Sequence, residues 1–422
     1  MTAAETAGTT DMTGTAVTRP LAGLRVVDLG QYIAAPGAGQ NLADLGADVI
    51  KVEPPAGDQA RGIGPLGQAM VRANNRGKRS LAVDLRTGAG RQVVDDLVDS
   101  ADVLLHNFRH GVSARLGLDP DTVLARRPGL VYGFVTGFGT RGPSAYRVGL
   151  DVAAQAEFAV MDLTGEADGD PQRVGFTVAD VLAAQALTSG VLAALLHRAT
   201  TGRGEVVETS LMEAVVHAQA ATWAEYGLSG AVPRRRGHGQ ALAAPAADLV
   251  RTRDGGALVL SAYTADKFAA LCSLIGQPEL ADDPRFATNA ARVAHRPQLL
   301  EVLHSTLGGL DRPQALERLR SAGIVCGAVR RFDEVVGDAD VLASGLIADC
   351  RGAHAAYTAP TTPFSLGGRR PTSSPPAPEV GEHTGPVLAE LGRSEADIRA
   401  LTEGGVVVRA DAGTAVPKEE PT

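Results

Sequence analysis

The sequence predicts an α/β fold in which a large domain, built on a mostly parallel sheet covered by helices, is joined to a smaller α+β domain. Over the first half of the chain, short β-branched runs alternate with helical patterns, the order typical of parallel sheets. Apolar residues make up 44% of the chain and aromatic residues only 4%, so the cores should consist of aliphatic side chains, as in buried parallel strands. With 422 residues, the chain is also too long for one ordinary core.

The large domain begins with a predicted βαβ unit. Residues 25–29 and 48–52 read as strands, and residues 39–45 between them have a helical pattern. The same alternation then continues, with strands predicted at 80–85, 103–105 and 130–135 and a helix near 88–98. Because successive strands are separated by helices, we expect them to run parallel in one sheet.

Two long helices, predicted at 180–198 and about 210–226, lead to the turn-rich basic stretch 233–239, where we place a domain junction. The smaller domain is predicted to contain strands at 257–261 and 324–329 and helices near 265–275, 297–307 and 313–322. Residues 360–378 are dense in Pro, Ser and Thr, which favours an extended segment that returns to the large domain, where 395–401 is predicted as a helix.

These elements define the predicted domain limits. They are a disordered tail at 1–19, the large domain at 20–228, the small domain at 229–335, the return segment at 336–408 and a second disordered tail at 409–422.

Composition argues against several classes of function. A formal net charge of −8 and a pI near 5.6 disfavour a general binder of nucleic acid or anionic membranes, because both need an extended basic surface. The longest apolar run, 181–196, is interrupted by polar residues and short for a bilayer, and the N-terminal residues lack a signal-peptide pattern. The three cysteines and nine histidines show no metal-ligand spacing. We therefore expect a cytoplasmic protein with buried thiols, no metal, no membrane span and no nucleic-acid partner.

Asp180 is the first candidate for chemistry. It follows the extended run 173–177 and opens a long apolar segment, so it is predicted to lie at a strand-to-helix junction. The amide groups and dipole of a helix N-terminus favour an ionised carboxylate, which can act as a nucleophile toward an activated carbonyl. Asp is also a favoured N-cap residue, so simple capping stays open as an alternative.

Polar clusters lie on or near strand ends, where open parallel sheets bind their ligands. They are residues 74–79, 84–86, 106–111 and 136–139. Together they predict a site for an anionic, phosphate-bearing ligand, although each alone is also compatible with an ordinary loop. Arg115 can add a second phosphate contact or solvate a helix end. His106 and His110 are expected to make loop contacts rather than to act in catalysis.

A nicotinamide-dinucleotide site is disfavoured. Gly37-Ala38-Gly39 follows the first strand, and Glu53 lies at a suitable distance beyond it. However, Leu42 occupies the position of the third glycine, and Pro36 lies inside the turn.

Several motifs, in order along the chain, carry a resemblance to a known family. They include Gly23-Leu24-Arg25-Val26-Val27-Asp28-Leu29, Leu42-Ala43-Asp44-Leu45-Gly46-Ala47-Asp48-Val49-Ile50-Lys51-Val52-Glu53, Gly57-Asp58, Lys78-Arg79-Ser80, Asn107-Phe108-Arg109, Gly137-Phe138-Gly139, Gly142-Pro143, Gln155-Ala156, Thr201-Gly202-Arg203-Gly204 and Gly381-Glu382-His383-Thr384. From about residue 20 to 405 the chain resembles the class III CoA-transferases, the CaiB/BaiF-like family of formyl-CoA and carnitine CoA-transferases.

The resemblance implies a function and a site. It implies transfer of CoA from an acyl-CoA donor to a carboxylic acid acceptor, with Asp180 as the nucleophile that passes through a mixed anhydride and an aspartyl-CoA thioester. Coenzyme A enters as a thioester substrate, and no permanently bound cofactor is implied. The large domain would be Rossmann-like, and two chains would interlock as a homodimer. The implied CoA contacts are Val83, Asp84, Leu85, Arg86, Asn107, Phe108, Arg109 and Arg115, and Thr136 and Gly137 complete the predicted ligand site.

The chain departs from the family pattern at a few positions. Ala35-Pro36 replaces Gly-Pro, His110 replaces a Pro, and the loop that is glycine-rich in formyl-CoA transferase would fall at 237–240, with few glycines. Racemases of the same fold carry a Gly-His-Asp triplet, which here is Gly149-Leu150-Asp151. Because leucine cannot exchange a proton, transfer is favoured over racemisation. A non-catalytic CoA-binding protein is the third interpretation, and Asp180→Asn separates it from an enzyme.

Overall fold

The structure, a computed structural model, describes residues 19–145, 147–239, 244–353, 355–373 and 375–410. Residues 1–18 and 411–422, nearly all of the two predicted tails, lie outside these ranges, as does Gln240 of the predicted loop at 237–240.

The described residues form twelve β-strands. They are β1 (Arg25–Asp28), β2 (Asp48–Glu53), β3 (Arg79–Val83), β4 (Val103–His106), β5 (Val131–Thr136), β6 (Val206–Ser210), β7 (Ala247–Arg251), β8 (Ala257–Ser261), β9 (Val325–Ala328), β10 (Ile347–Arg351), β11 (Ala356–Pro360) and β12 (Val407–Val408).

The same residues form eighteen α-helices and two short 3₁₀ helices, at Gln59–Gly62 and Pro278–Ala281. The α-helices are α1 (Ala34–Asp44), α2 (Gly64–Asn74), α3 (Gly88–Asp99), α4 (Val112–Arg115), α5 (Pro120–Arg126), α6 (Asp151–Glu157), α7 (Val160–Leu163), α8 (Val178–Thr201), α9 (Leu211–Ala218), α10 (Ala220–Ser229), α11 (Ala265–Leu274), α12 (Asn289–Ala294), α13 (Arg296–Leu307), α14 (Arg312–Ser321), α15 (Phe332–Val336), α16 (Ala339–Ala343), α17 (Thr384–Glu390) and α18 (Glu395–Glu403).

A seven-stranded sheet with the order β12-β3-β2-β1-β4-β5-β6 forms the centre of the larger part of the chain. All neighbouring strands are parallel except β12, which pairs antiparallel to β3 with Val407 opposite Val83. The mostly parallel, helix-covered sheet is therefore confirmed, and each of the five strands predicted between residues 25 and 135 lies within two residues of its expected bounds. The two edge strands, β6 and β12, were not predicted.

Aliphatic side chains fill the core of this sheet, as the composition predicted. Val27, Ile50, Leu81 and Leu104 are completely buried on four adjacent strands. Burying a side chain of this kind contributes about 1.5–3 kcal/mol, so the central strands account for much of the stability of the sheet.

The predicted helix at about 210–226 is wrong in its continuity, since the structure has two helices, α9 and α10, in this region. Gln219 lies between them, and its side-chain amide donates to the carbonyl oxygens of Val215 (2.9 Å) and Phe158 (2.8 Å). The first bond satisfies a carbonyl in the last turn of α9, and the second ties that helix end to the end of α6.

The chain folds into two compact units. Unit 1 comprises Met1–Phe158, Gly175–Ala220 and Ala339–Thr422, and unit 2 comprises Ala159–Val174 and Ala221–Asp338. This division differs from the predicted domain limits chiefly in that residues 159–174 belong to unit 2. Arg235 explains the difference, because its guanidinium holds this segment by donating to the carboxylate (2.9 Å) and the carbonyl (3.0 Å) of Asp162.

Unit 2 is an α+β structure with a three-stranded antiparallel sheet of order β7-β8-β9. Leu258 and Leu260 on β8 pack with Phe268 and Leu271 on α11 in its core. The strands and helices predicted between 257 and 329 are all present, whereas β7 and α12 were missed.

Helix α8 is long and apolar enough to cross a membrane when length and composition alone are considered. The helix contains the run 181–196 and extends beyond it at both ends. Within unit 1 the helix lies on the sheet: a Cβ built on Gly133 of β5 would lie 3.1 Å from Leu187 and 3.3 Å from Val191. A core helix of this kind passes the same test, so the criterion is weak evidence for a membrane span.

Candidate active site

The strand order reverses beside β1, which has β2 on one side and β4 on the other. The segments that leave β1 and β4 on this edge of the sheet are residues 29–33 and 107–111. In open α/β sheets, ligands bind in the crevice at such a switch point, beyond the carboxyl ends of the strands. The predicted contacts at Asn107, Phe108 and Arg109 therefore lie at a position where this fold binds ligands.

Asp180 is the third residue of α8, and Thr177 occupies the N-cap position. The backbone N–H of Ala179 donates to the Asp151 carboxylate at 2.8 Å, so a different residue satisfies the helix end. The capping interpretation of Asp180 is therefore not supported. Residues 173–177 form no strand in the structure, so the predicted strand-to-helix junction is a loop-to-helix junction.

The electrostatic environment of Asp180 is opposite to the expectation from the helix N-terminus. Burial raises the pKa of the Asp180 carboxyl from 3.8 to about 7, and the negative charge of Asp151 acts in the same direction. No hydrogen bond from a described residue contributes to this pKa. Loss of solvation and a like charge thus outweigh the helix dipole, and near neutral pH the carboxyl populates both its protonated and its ionised form.

Asp151, which was not selected from the sequence, organises this corner of the structure. It is the first residue of α6 and is buried. One carboxylate oxygen accepts the Ala179 N–H, and the other accepts from Gln155 Nε2 at 2.6 Å. Asp151 therefore joins the starts of α6 and α8 and places a second carboxylate near Asp180. In the sequence, Asp151 was noted only as part of the triplet 149–151, and the attention there was on Leu150 in place of a histidine.

Thr136 and Gly137, both predicted ligand contacts, form the turn at the end of β5. Thr136 Oγ1 accepts from the N–H of Gly139 at 2.9 Å. A Cβ on Gly137 would lie 2.5 Å from the Cα of Gly149, and a Cβ on Gly149 would lie 2.5 Å from the Cα of Gly137. The two backbones thus touch where only glycines fit, and this contact anchors the segment that leads into Asp151.

Helices α1 and α8 run side by side in register. A Cβ on Gly37 would lie 3.0 Å from the Cβ of Ala184, and Asn41 Nδ2 donates to Thr188 Oγ1 at 3.0 Å. The second pair lies four residues beyond the first on both helices, so the helices are parallel there. Four residues before Gly37 and Ala184 are Ile33, the N-cap residue of α1, and Asp180, so the same spacing places the start of α1 level with Asp180.

The predicted contacts after β3 divide into exposed and buried side chains. Val83 is buried in the core of the sheet, and Leu85 packs against the same core. Asp84 accepts from the guanidinium of the exposed Arg86 with both oxygens, at 2.8–3.2 Å, and from its backbone N–H at 2.9 Å. These hydrogen bonds from Arg86 lower the pKa of Asp84 to about 2.

The contacts predicted after β4 also differ in their surroundings. Asn107 bonds to the backbone of Gln31, and Phe108 stacks on the His106 ring with 4.8 Å between centroids. Arg109 and Arg115 are exposed, and within the described ranges neither pairs with a carboxylate. The ends of β3 and β4 are separated by three strand spacings, about 14 Å at 4.8 Å each. A ligand that reaches both must be extended.

His106 stabilises the loop that follows β4. It is buried, and burial lowers its pKa to about 3, so the ring is neutral. Nδ1 accepts from the N–H of Phe108 (3.1 Å), so Nε2 carries the proton. Nε2 donates to the Tyr132 hydroxyl (2.7 Å), and this hydroxyl donates to the carbonyl of Leu118 (2.5 Å). This chain of hydrogen bonds fixes both ends of the segment between β4 and α5.

The cluster at 74–79 is not an anion site, contrary to the prediction. Arg76 and Lys78 are buried and pair with carboxylates, Arg76 with Asp44 at 3.1 Å and Lys78 with Asp28 at 2.7 Å. The sequence pattern showed a dense group of cations and amides, but it did not show the acidic partners that the fold brings to them from β1 and α1.

The sequence model of CoA-transferase family III matches residues 21–384. This chain belongs to CoA-transferase family III. It is 35% identical to a succinate–glutarate CoA-transferase of Agrobacterium fabrum over 88% of this chain and 96% of that one. It is 34% identical to a probable fatty acyl-CoA transferase of Mycobacterium tuberculosis over 88% and 98% of the two chains.

A solved structure is similarly close. The crystal structure of a CaiB/BaiF family protein from Brucella suis superposes with a TM-score of 0.80 at 36% identity, covering 89% of this chain and all of the other. The relatives of this chain thus carry the names of CoA-transferases, and the chain is a class III CoA-transferase enzyme.

The racemase alternative lacks a second proton-exchanging group at the expected position. Leu150, which replaces the histidine of the Gly-His-Asp triplet, is 60% exposed and cannot exchange a proton. Within the described residues, no group of three or more His, Cys, Asp or Glu side chains has the geometry to hold a metal ion. The cysteines there are free thiols, with Cys272 and Cys350 buried and Cys326 partly exposed.

Proposed function

We propose that this CoA-transferase uses Asp180 as a covalent nucleophile in moving CoA from an acyl-CoA thioester to a carboxylic acid. The Asp180 carboxylate attacks the thioester carbonyl, the carbon–sulfur bond breaks, and CoA leaves as the thiolate. The resulting mixed anhydride is attacked by that thiolate at the aspartyl carbonyl, which releases the donor acid and leaves an aspartyl-CoA thioester.

The second half of the proposed reaction repeats these steps with the acceptor. The acceptor carboxylate attacks the aspartyl thioester and expels CoA thiolate, and a second mixed anhydride forms. The thiolate then attacks the acceptor's acyl carbon, which gives the new acyl-CoA and regenerates the Asp180 carboxylate. Each step exchanges one activated acyl bond for another, so no metal or redox partner is required for the electrons to balance.

The environment of Asp180 carries the proposal. The carboxyl lies at the start of α8 without capping it, and burial together with Asp151 holds its pKa at about 7. A carboxylate of raised pKa is more basic and more nucleophilic than a solvated one, and a large fraction of it is still ionised near neutral pH.

The proposed CoA site extends along the carboxyl edge of the sheet. Arg109 and Arg115 are exposed near the switch point and are suited to bind phosphate groups. Arg86 lies after β3, about 14 Å away, and would exchange its bonds with Asp84 for a phosphate. Phe108, stacked on His106, offers a partly buried aromatic ring beside them.

The substrates and the assembly are also parts of the proposal. The names of the two relatives include a dicarboxylic pair, succinate and glutarate, and a fatty acyl group, so both classes are candidate donors. An interlocked homodimer, which rests on the motif resemblance, and a cytoplasmic location, which rests on the composition, are further parts of the proposal. The mass of the protein in solution, measured by light scattering, tests the first of these.

Trapping of the intermediate tests the function. The protein is incubated with a panel of acyl-CoA thioesters that includes succinyl-CoA and a fatty acyl-CoA, quenched with hydroxylamine or borohydride, and digested for peptide mass spectrometry. We expect modification at Asp180 that depends on the acyl-CoA. Asp180→Asn should retain CoA binding and lose turnover. The matched control is Asp121→Asn, which alters an exposed carboxylate in the first turn of α5 and should leave both unchanged.

Two outcomes contradict the proposal. Full turnover by Asp180→Asn excludes this residue as the nucleophile. An unmodified Asp180 in a protein that binds CoA points first to α-proton exchange, measured as deuterium exchange from solvent, and then to a binding-only role.

A further inference from the structure

The loop at residues 30–32, directly after β1, has an unusually complete set of restraints. Five of its backbone groups bond to side chains from other parts of unit 1 or from the end of β1. The bonds are Gly30 N–H to Asp28 Oδ1 (2.8 Å), Lys51 Nζ to Gly30 O (2.8 Å), Gln31 N–H to Asn107 Oδ1 (2.9 Å), Asn107 Nδ2 to Gln31 O (2.7 Å) and Tyr32 N–H to Asp58 Oδ1 (3.2 Å).

The conformation of this loop is strained. Tyr32 has φ of 65°, in the left-handed region that a bulky side chain rarely adopts. Strain of this kind costs on the order of 1–3 kcal/mol and persists only where the surrounding structure over-determines it. The hydrogen bonds that the loop makes with Asp58, which accepts, and with Asn107, which accepts and donates, supply that over-determination.

Asn107 is the only residue from the β4 side among the partners in these five bonds. Its carboxamide accepts from and donates to the same residue, Gln31, and this pairing fixes the orientation of the amide. The side chain thus bridges the two loops that border the switch point, β1 to α1 and β4 to α4.

The loop leads through Ile33, the N-cap residue, into α1, and the register of α1 and α8 at Gly37 and Ala184 places this helix start level with Asp180. A shift of the loop therefore moves the start of α1 relative to the nucleophile. We propose that Asn107 is a positioning residue for the chemical step at Asp180, acting through the backbone of Gln31, and that its side chain is not a CoA contact. This inference rests on the proposed function of Asp180.

Asn107→Ala removes both bonds to Gln31, and Asn107→Asp keeps the shape and the acceptor but loses the donor. In single-turnover trapping at saturating acyl-CoA, the rate constant for Asp180 modification should fall by about 10²-fold in the alanine variant, the effect of a displacement of roughly 1 Å. The affinity for CoA, measured by calorimetry with full binding stoichiometry, should equal that of the wild type. Amide hydrogen exchange at Gln31 and Tyr32 should become faster while the melting temperature is retained.

Arg109→Ala shows the effect of losing a CoA contact, since it should weaken CoA affinity. If Asn107→Ala and Asn107→Asp behave in this way, with weaker CoA binding and an unchanged modification rate, Asn107 is a CoA contact and the inference is wrong. An unchanged rate with unchanged affinity also overturns it. The wild type reports separately on the proposed function, because it is either modified at Asp180 or not, whereas the ratio of variant to wild type reports on Asn107.

Discussion

Acylation of Asp180 should depend on pH with a midpoint near neutrality, and Asp151 should raise that midpoint in addition to burial. The nucleophile must be ionised to attack a thioester, and burial together with the Asp151 charge raises its pKa from 3.8 to about 7. Because the folded state retains the proton up to a higher pH than the unfolded chain, ionising Asp180 also opposes folding. The tighter binding of this proton by the folded state therefore stabilises the protein at low pH, and that stabilisation is lost as the pH rises through about 7.

The size of the effect follows from the ionised fraction. With a pKa of about 7, roughly one tenth of Asp180 is ionised at pH 6 and about nine tenths at pH 8, so the rate of acylation should rise by about tenfold across this range. In Asp151→Asn the like charge is removed, while the side-chain oxygen can still accept the N–H of Ala179. The midpoint should move to lower pH, and the rate at pH 6 should rise by less than the full tenfold, because burial is the larger of the two causes and remains.

The assay is single-turnover trapping of the Asp180 adduct by rapid quench at a series of pH values, with saturating acyl-CoA, for the wild type and for Asp151→Asn. Saturation separates the chemical step from CoA binding, and CoA affinity is measured at each pH as a control. A wild-type rate that stays constant between pH 6 and pH 8 would refute the reasoning. An Asp151→Asn profile that coincides with the wild-type profile would show that the charge of Asp151 has no influence on the nucleophile.

Further predictions concern the scaffold. Gly137→Ala places a Cβ 2.5 Å from a facing backbone atom and should lower the free energy of unfolding by about 1–3 kcal/mol, whereas Gly88→Ala, with no atom within 4 Å, should cause no loss; denaturant titration compares the two. Asp28→Asn leaves the fully buried Lys78 without a carboxylate and should cost about 3–5 kcal/mol by the same titration. Asp349→Asn breaks an exposed pair and should have no measurable effect, so an equal loss in both variants would contradict this account of Asp28.

Local pattern in the sequence predicted the elements of the central sheet well. Strands such as β1 and β2 carry short runs of Val and Ile and are buried on both faces, and this burial favours β-branched residues there. The edge strands were missed because they are exposed or very short. Strand β6 exposes Val206, and β12 has only two residues, so neither carries a strong local signal.

The sequence also identified Asp180, because its position at the start of a long apolar segment and the motifs around it are visible in the chain. The environment of that carboxyl was not visible. An ionised group stabilised by the helix N-terminus was expected, whereas the structure partly buries the group near Asp151, and this raises its pKa to about 7. Asp151 precedes Asp180 by 29 positions, and no periodic pattern connects the two.

The cations of the chain show the same distinction. The cluster at 74–79 and the pair Arg109 and Arg115 both supplied cations near predicted strand ends, yet the fold pairs Lys78 with the buried Asp28 and leaves the two arginines exposed. The amino-acid sequence by itself determined the fold class, the order of the central strands along the chain and the candidate nucleophile, because these depend on residues close together in sequence. Tertiary structure alone decided which charges are paired, which backbone segments are held and which pKa values move, because desolvation and Coulomb interactions depend on distances between residues far apart in the chain.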